Sequence, residues 1–144
     1  MTIEENRFTS KRHTTFYLSS GPSDGPLLIF VHGWPELSFS WRHQIKFFGA
    51  AGWRVIAPDM RGYGRSSVYD SHSAYAQSEI VTDMLELLEH LGGDKAVWVG
   101  HDWGAPVVWN MGLHPADKVR AIANLWLPLG FERGVEELSL KHHW

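Results

Sequence analysis

Five residues, Gly100-His101-Asp102-Trp103-Gly104, constrain this chain more than any other stretch. They follow a short apolar run, Ala96-Val97-Trp98-Val99, and lead into Trp103 to Leu113, which reads as a helix closed by His114-Pro115. A glycine on each side of a tight strand-to-helix turn lets neighbouring backbones approach and lifts the central side chain above the sheet. The helix N-terminus behind Asp102 offers free N–H groups and a positive dipole end, so negative charge is favoured there. The plainest role for such an Asp is helix capping. The flanking glycines, paired with a second loop motif described below, favour instead a nucleophile standing where the G-x-S-x-G turn carries Ser.

The rest of the chain supplies the frame for such a turn. Arg7 to Ser20 mixes Thr, Phe and Tyr and reads as one or two strands. Leu27 to Val31 is a continuous apolar run, as in a strand buried on both faces. A helix follows with Trp41, Ile45 and Phe48 on one face and Ser38 or Ser40 as its cap. Arg54 to Ala57 is the next strand, and Asp59 to Ser67 a glycine-bearing loop. The clearest helix spans roughly Ala74 to Leu91, with Ile80, Met84, Leu87, Leu88 and Leu91 as its stripe and Gly92 as its stop. Val119 to Leu125 is a final strand. Strands first, then strand–helix alternation, predict an α/β fold with a mostly parallel, doubly wound sheet. Residues 1–130 read as the N-terminal part of its core domain, and 131–144, without firm period, as a tail or the truncated start of a further region. Ligands in such sheets bind in the loops at the carboxyl ends of the strands. His32-Gly33-Trp34, Asp59 to Ser67 and His101-Asp102-Trp103 all fall there.

Composition removes several alternatives. The net charge is −3 with no Lys/Arg block, against a nucleic-acid surface. The absence of cysteine excludes disulfides and thiolate metal sites, and no histidine shares a ligand spacing with the His142-His143 pair, so no metal or other cofactor is expected. There is no run of about 18 apolar residues to span a bilayer, and Met1 to Ser10 lacks an apolar signal core. The default expectation is a cytoplasmic protein that binds a small molecule and no membrane.

A carboxylate nucleophile defines its chemistry. It attacks an sp3 carbon in line, opening an epoxide or expelling a halide, and leaves an ester on Asp102. Water must then attack the ester carbonyl with the help of a base. The oxyanion so formed lies on the Asp102 side chain, so its hydrogen-bond donors must face that side chain. The Trp103 N–H is one candidate, and the Trp34 N–H, in the loop after the Leu27 to Val31 strand, is the other. Pro35 cannot donate and fixes that loop's turn. His101 should point away from Asp102 in so tight a turn, and His32 should hold the loop by hydrogen bonds.

Three motifs now stand in order: His32-Gly33-Trp34-Pro35-Glu36, Ala57-Pro58-Asp59-Met60-Arg61-Gly62-Tyr63-Gly64-Arg65-Ser66, and Gly100-His101-Asp102-Trp103-Gly104. With Trp41-Arg42 and Ala105-Pro106-Val107-Val108-Trp109, they resemble the α/β-hydrolase-fold epoxide hydrolases from about Arg7 to Pro128. The resemblance implies Asp102 as nucleophile, the Trp34 and Trp103 N–H groups as oxyanion donors, and Trp34, Pro35 and Trp103 around an epoxide substrate. It implies a cis peptide between Trp34 and Pro35. It gives Asp59 and Arg61 a structural role, read here as an ordered turn with an internal ion pair. Haloalkane dehalogenases share the His-Asp-Trp-Gly turn but usually carry Asn where this chain has Trp34, which favours the epoxide.

The family also implies an acid, a base His, two further core strands and a cap domain supplying two Tyr hydroxyls, in that fold's chain order of nucleophile, acid, His. The residues after Asp102 are taken up by one helix, one strand and the tail, so the α/β-hydrolase fold is expected to be incomplete here. The chain by itself is then expected to accept an epoxide on Asp102 without turning over, and the Val119 to Leu125 strand to be an uncovered edge. A non-catalytic protein built on a truncated form of the same fold is the alternative.

Overall fold

A computed structural model describes residues 1–113 and 117–125 of the chain. The tail 131–144, with His142 and His143, and His114 lie outside the described residues.

The elements run β1 (Glu4–Thr9), β2 (Thr14–Ser20), β3 (Leu27–Val31), α1 (Arg42–Ala50), β4 (Arg54–Pro58), α2 (Gln77–His90), β5 (Ala96–His101), α3 (Gly104–Leu113) and β6 (Val119–Leu125). Short 3-10 turns at Ser38–Trp41 and His72–Tyr75 precede α1 and α2. The strands form one sheet in the order β1-β2-β4-β3-β5-β6. The β1–β2 and β2–β4 pairs are antiparallel, and all pairs from β4 to β6 are parallel.

Alternation along the central strands builds two cores. Leu27, Ile29 and Val31 of β3 face α2 and α3, meeting Ile56, Met84, Leu87, Trp98, Val108 and Met111. Leu28 and Phe30 face the other way, meeting Phe16, Leu18, Val55, Trp41 and Ile45 under α1. All five residues of β3 are buried, as its unbroken apolar run requires when helices cover both faces. The sheet is therefore doubly wound and mostly parallel, as expected from the motifs, with β6 at one edge of the described sheet.

Two local expectations change. Neither Ser38 nor Ser40 caps the helix at Trp41 through its side chain. Ser40 Oγ donates to the Leu37 carbonyl at 2.7 Å, and the Ser38 N–H donates to Asp59 Oδ1 at 2.9 Å. The acceptor for this orphan N–H thus comes from the next loop rather than from the chain beside it. The helix expected from Ala74 begins at Gln77, because Ala76 is extended, with ψ 145°, and separates it from the preceding 3-10 turn. Its end is as expected: Gly92 takes φ +69° just beyond the last turn. Among the described residues no helix is long and apolar enough to cross a membrane.

Candidate active site

β5 ends at His101 and α3 begins at Gly104, so two residues carry the chain through the turn. Asp102 takes φ +52°, and it is the one non-glycine residue with positive φ among those described. Such a conformation costs energy in a residue with a Cβ and is held only by its surroundings. Those surroundings are backbone at close range. A Cβ on Gly104 would lie 2.3 Å from the Val31 carbonyl oxygen, and one on Gly100 2.7 Å from the Gly104 carbonyl oxygen. One on Gly33 would lie 2.4 Å from the Asp102 Cβ. The glycines of both motifs are thus demanded by the approach of β3, β5 and α3.

The carboxylate does not cap α3. The Ala105 N–H bonds the Asp102 carbonyl at 3.0 Å, and no N–H of α3 donates to the side chain. Instead Asp102 Oδ2 accepts the Trp34 N–H at 2.9 Å. The Trp103 N–H, the second candidate donor, makes no hydrogen bond to the carboxylate, which leans towards the β3 loop. The Trp34–Pro35 peptide is cis.

His32 holds that loop. It is 2% exposed, and its Nε2 accepts the Met60 N–H at 2.9 Å. Its Nδ1 therefore carries the proton and donates to the Gly33 carbonyl at 2.9 Å. Burial pushes its pKa below the ordinary histidine value. Glu36, the last residue of the first motif, adds a tie whose partners the motif does not announce. Its Oε2 accepts the Gly33 N–H at 3.4 Å and lies 3.1 Å from His101 Nδ1. The His101 ring also sits edge-on to Trp41, on the α1 side of the sheet, turned from Asp102 as expected.

The Asp59 to Ser67 loop is ordered, but the ion pair is not internal to it. Asp59 accepts the N–H groups of Ser38 and Arg65, at 2.9 and 3.1 Å. Arg61 reaches to α2, where its Nε and Nη2 bond both oxygens of Asp83 at 2.7 and 2.8 Å. Asp59 is spent on backbone donors, so the buried guanidinium needs a carboxylate from elsewhere.

Beside Asp102 runs a cleft of about 280 Å³. Gly33, Trp34 and Trp103 bound it on the side of the two motifs, with Met60, Arg61 and Tyr63 from the loop after β4, Tyr75 from the 3-10 turn, and Gln77 and Ile80 from the start of α2. Pro35 is not in its wall, because the chain turns away there, with the Glu36 N–H on the Gly33 carbonyl at 3.0 Å. Trp34 and Trp103 are 64% and 60% exposed. Burial, with the charge of Asp102, pushes the Tyr63 phenol above its usual pKa, so it stays a donor. Tyr63 lies in the Ala57 to Ser66 motif, whereas Gln77 and Asp83 belong to this site region but stand in no recognisable motif of their own. Among the described residues no group of three or more His, Cys, Asp or Glu could hold a metal ion.

A model of the alpha/beta hydrolase fold matches residues 26–127, and the chain belongs to that family. Within it, the chain is similar to epoxide hydrolases. Epoxide hydrolase A of Mycobacterium tuberculosis (strain ATCC 25618 / H37Rv) is 49% identical over 111 residues, covering 77% of this chain and 34% of the relative. Epoxide hydrolase 2 of Siraitia grosvenorii is 48% identical over 101 residues, covering 70% of this chain and 32% of the relative. The crystal structure of Epoxide Hydrolase A from Mycobacterium thermoresistibile superposes with a TM-score of 0.84 at 38% identity, covering 97% of this chain and 45% of that one. The chain thus spans about a third of the length of the curated relatives it matches.

Proposed function

We propose that this chain is the nucleophile-bearing part of an epoxide-opening hydrolase, with Asp102 as the attacking group. The observation that carries the reading is the placement of Asp102: left-handed, uncapping, and with Oδ2 on the Trp34 N–H. Because Oδ2 is held by a donor, Oδ1 is the free oxygen and the attacking atom. It forms a bond to one epoxide carbon; the ring C–O bond breaks, and its electron pair goes to the ring oxygen, which takes up a proton. In the resulting ester Oδ2 is the carbonyl oxygen. Water attack on the carbonyl carbon puts negative charge on Oδ2, where the Trp34 N–H already points. Trp103 N–H is the second donor, engaged as charge develops.

Among the described residues, neither histidine of the two motif loops is placed to activate that water. His32 has both ring nitrogens committed and neutral, and His101 is held by Glu36. On this reading the described residues carry the reaction as far as the ester. Its relatives' names, and Trp34 in the oxyanion loop, favour an epoxide over a haloalkane. Incubation with styrene oxide and analysis of intact mass tests this. The expected result is one adduct of the epoxide's mass with no catalytic release of diol; catalytic diol release by this chain contradicts it.

A further inference from the structure

The cleft beside Asp102 has an apolar body formed by Trp34, Trp103, Met60, Ile80 and Val107. Its polar side chains are mostly spent on the protein itself. Arg61 gives Nε and Nη2 to Asp83 and Nη1 to the Ala74 carbonyl at 2.7 Å. Tyr75 Oη donates to the Tyr69 carbonyl at 3.1 Å and accepts the Tyr69 N–H at 2.8 Å. His32 is committed at both nitrogens. Gln77 is different: its Nε2 is shut off from solvent and has no hydrogen-bond partner among the described residues. A sheltered amide N–H2 without an acceptor is costly and calls for one. The ends of a primary amide change places by rotation about its last torsion, so the N–H2 can turn into the cleft.

We propose that Gln77 is a specificity-determining residue, donating to a hydrogen-bond acceptor on the far end of the substrate. The inference rests on the epoxide-opening reading. The substrate class it names is a small epoxide with an apolar or aromatic body and a carbonyl or ether oxygen distal to the ring. Trp34 and Trp103 flank the body near Asp102, and Gln77, at the first residue of α2, meets the oxygen. A cleft of about 280 Å³ suits a body of one substituted ring. No other lining side chain on α2 is polar, so loss of Gln77 leaves that wall without a donor.

A matched pair of probes separates polar recognition from size. 4-Acetylstyrene oxide and 4-isopropylstyrene oxide differ little in shape but only the first has a distal acceptor. The rate of adduct formation on the 144-residue chain is measured for both, with wild type, Gln77→Leu and Gln77→Glu. Comparing ratios across variants cancels the intrinsic reactivity difference of the two epoxides. Loss of a neutral hydrogen bond should lower the acetyl-to-isopropyl ratio about fivefold in both variants. Glu keeps the shape of Gln without its donor, so a packing role would leave its ratio at the wild-type value and overturn the proposal. Binding of the two corresponding diols, followed by the Gln77 side-chain amide signal in NMR titrations, needs no chemistry at Asp102. Preferential binding of the acetyl diol that shifts this signal supports the recognition role even where no adduct forms, which would sink the functional reading alone. Equal binding of both diols, with an unmoved Gln77 signal, overturns the recognition role and leaves the functional reading standing.

Discussion

The Trp34 N–H lies 2.9 Å from Oδ2 of Asp102, a residue 68 positions further along the chain. That contact joins the loop after β3 to the turn after β5, and the parallel pairing of the two strands sets it, with Val31 opposite Gly100.

Gly33 is the closest point of the two loops. Gly33→Ala places a Cβ 2.4 Å from the Asp102 Cβ and 2.8 Å from the His101 carbonyl oxygen, so backbone must shift. The expected cost is about 1–3 kcal/mol of stability, with adduct formation slowed about tenfold or more as the Trp34 N–H is displaced. Urea unfolding and intact-mass kinetics measure the two effects.

Asp102 occupies a left-handed conformation at φ +52° that glycine adopts freely. Asp102→Gly should leave the fold intact and raise or hold the melting temperature, while abolishing the adduct. A large drop in melting temperature would show the carboxylate to be a structural element rather than a strained functional one.

The side chains of Arg61 and Asp83 are 3% and 1% exposed. Asp83→Ala leaves a buried guanidinium with Arg12 nearby and no buried counter-charge, and about 3–5 kcal/mol of stability should go. Replacing both Arg61 and Asp83 with apolar residues should cost less than Asp83→Ala alone, which a double-mutant cycle reads directly.

His32 and His13 are both buried, and burial holds both pKa values below the ordinary 6.5. At His13, the Asp83 carboxylate partly opposes the effect. The unfolded chain then binds more protons than the folded one just below that value. Stability is whole above about pH 6.5 and falls as pH drops towards the folded values, by up to about 1.4 kcal/mol per pH unit for each histidine. Urea titrations at pH 7.5, 6.5 and 5.5 check the sign; unchanged stability between 6.5 and 5.5 would contradict it.

Much of the frame was legible because it is written locally. Strand β3 shows as an unbroken apolar run, α2 as a stripe ended by Gly92, and the turn at Asp102 as two glycines around three residues. The same local signals misassign partners that arrive from a distance. Ser38 beside a helix start reads as a cap, yet its N–H is satisfied by Asp59. Asp59 and Arg61 two positions apart read as a pair, yet Arg61 bonds Asp83, 22 positions on. Glu36 closes the first motif without a partner legible in it, and Gln77 stands in no motif; only the meeting of loop, strand and helix shows what Glu36 bonds and which cleft Gln77 lines.

Peptide mapping after exposure of the 144-residue chain to styrene oxide tests Asp102 as the nucleophile most directly. The expected result is one epoxide mass on the peptide containing Asp102, absent in Asp102→Ala and much reduced in Gly33→Ala. An adduct on any other residue that persists in Asp102→Ala, or no adduct at all, would contradict the assignment of Asp102 as the nucleophile.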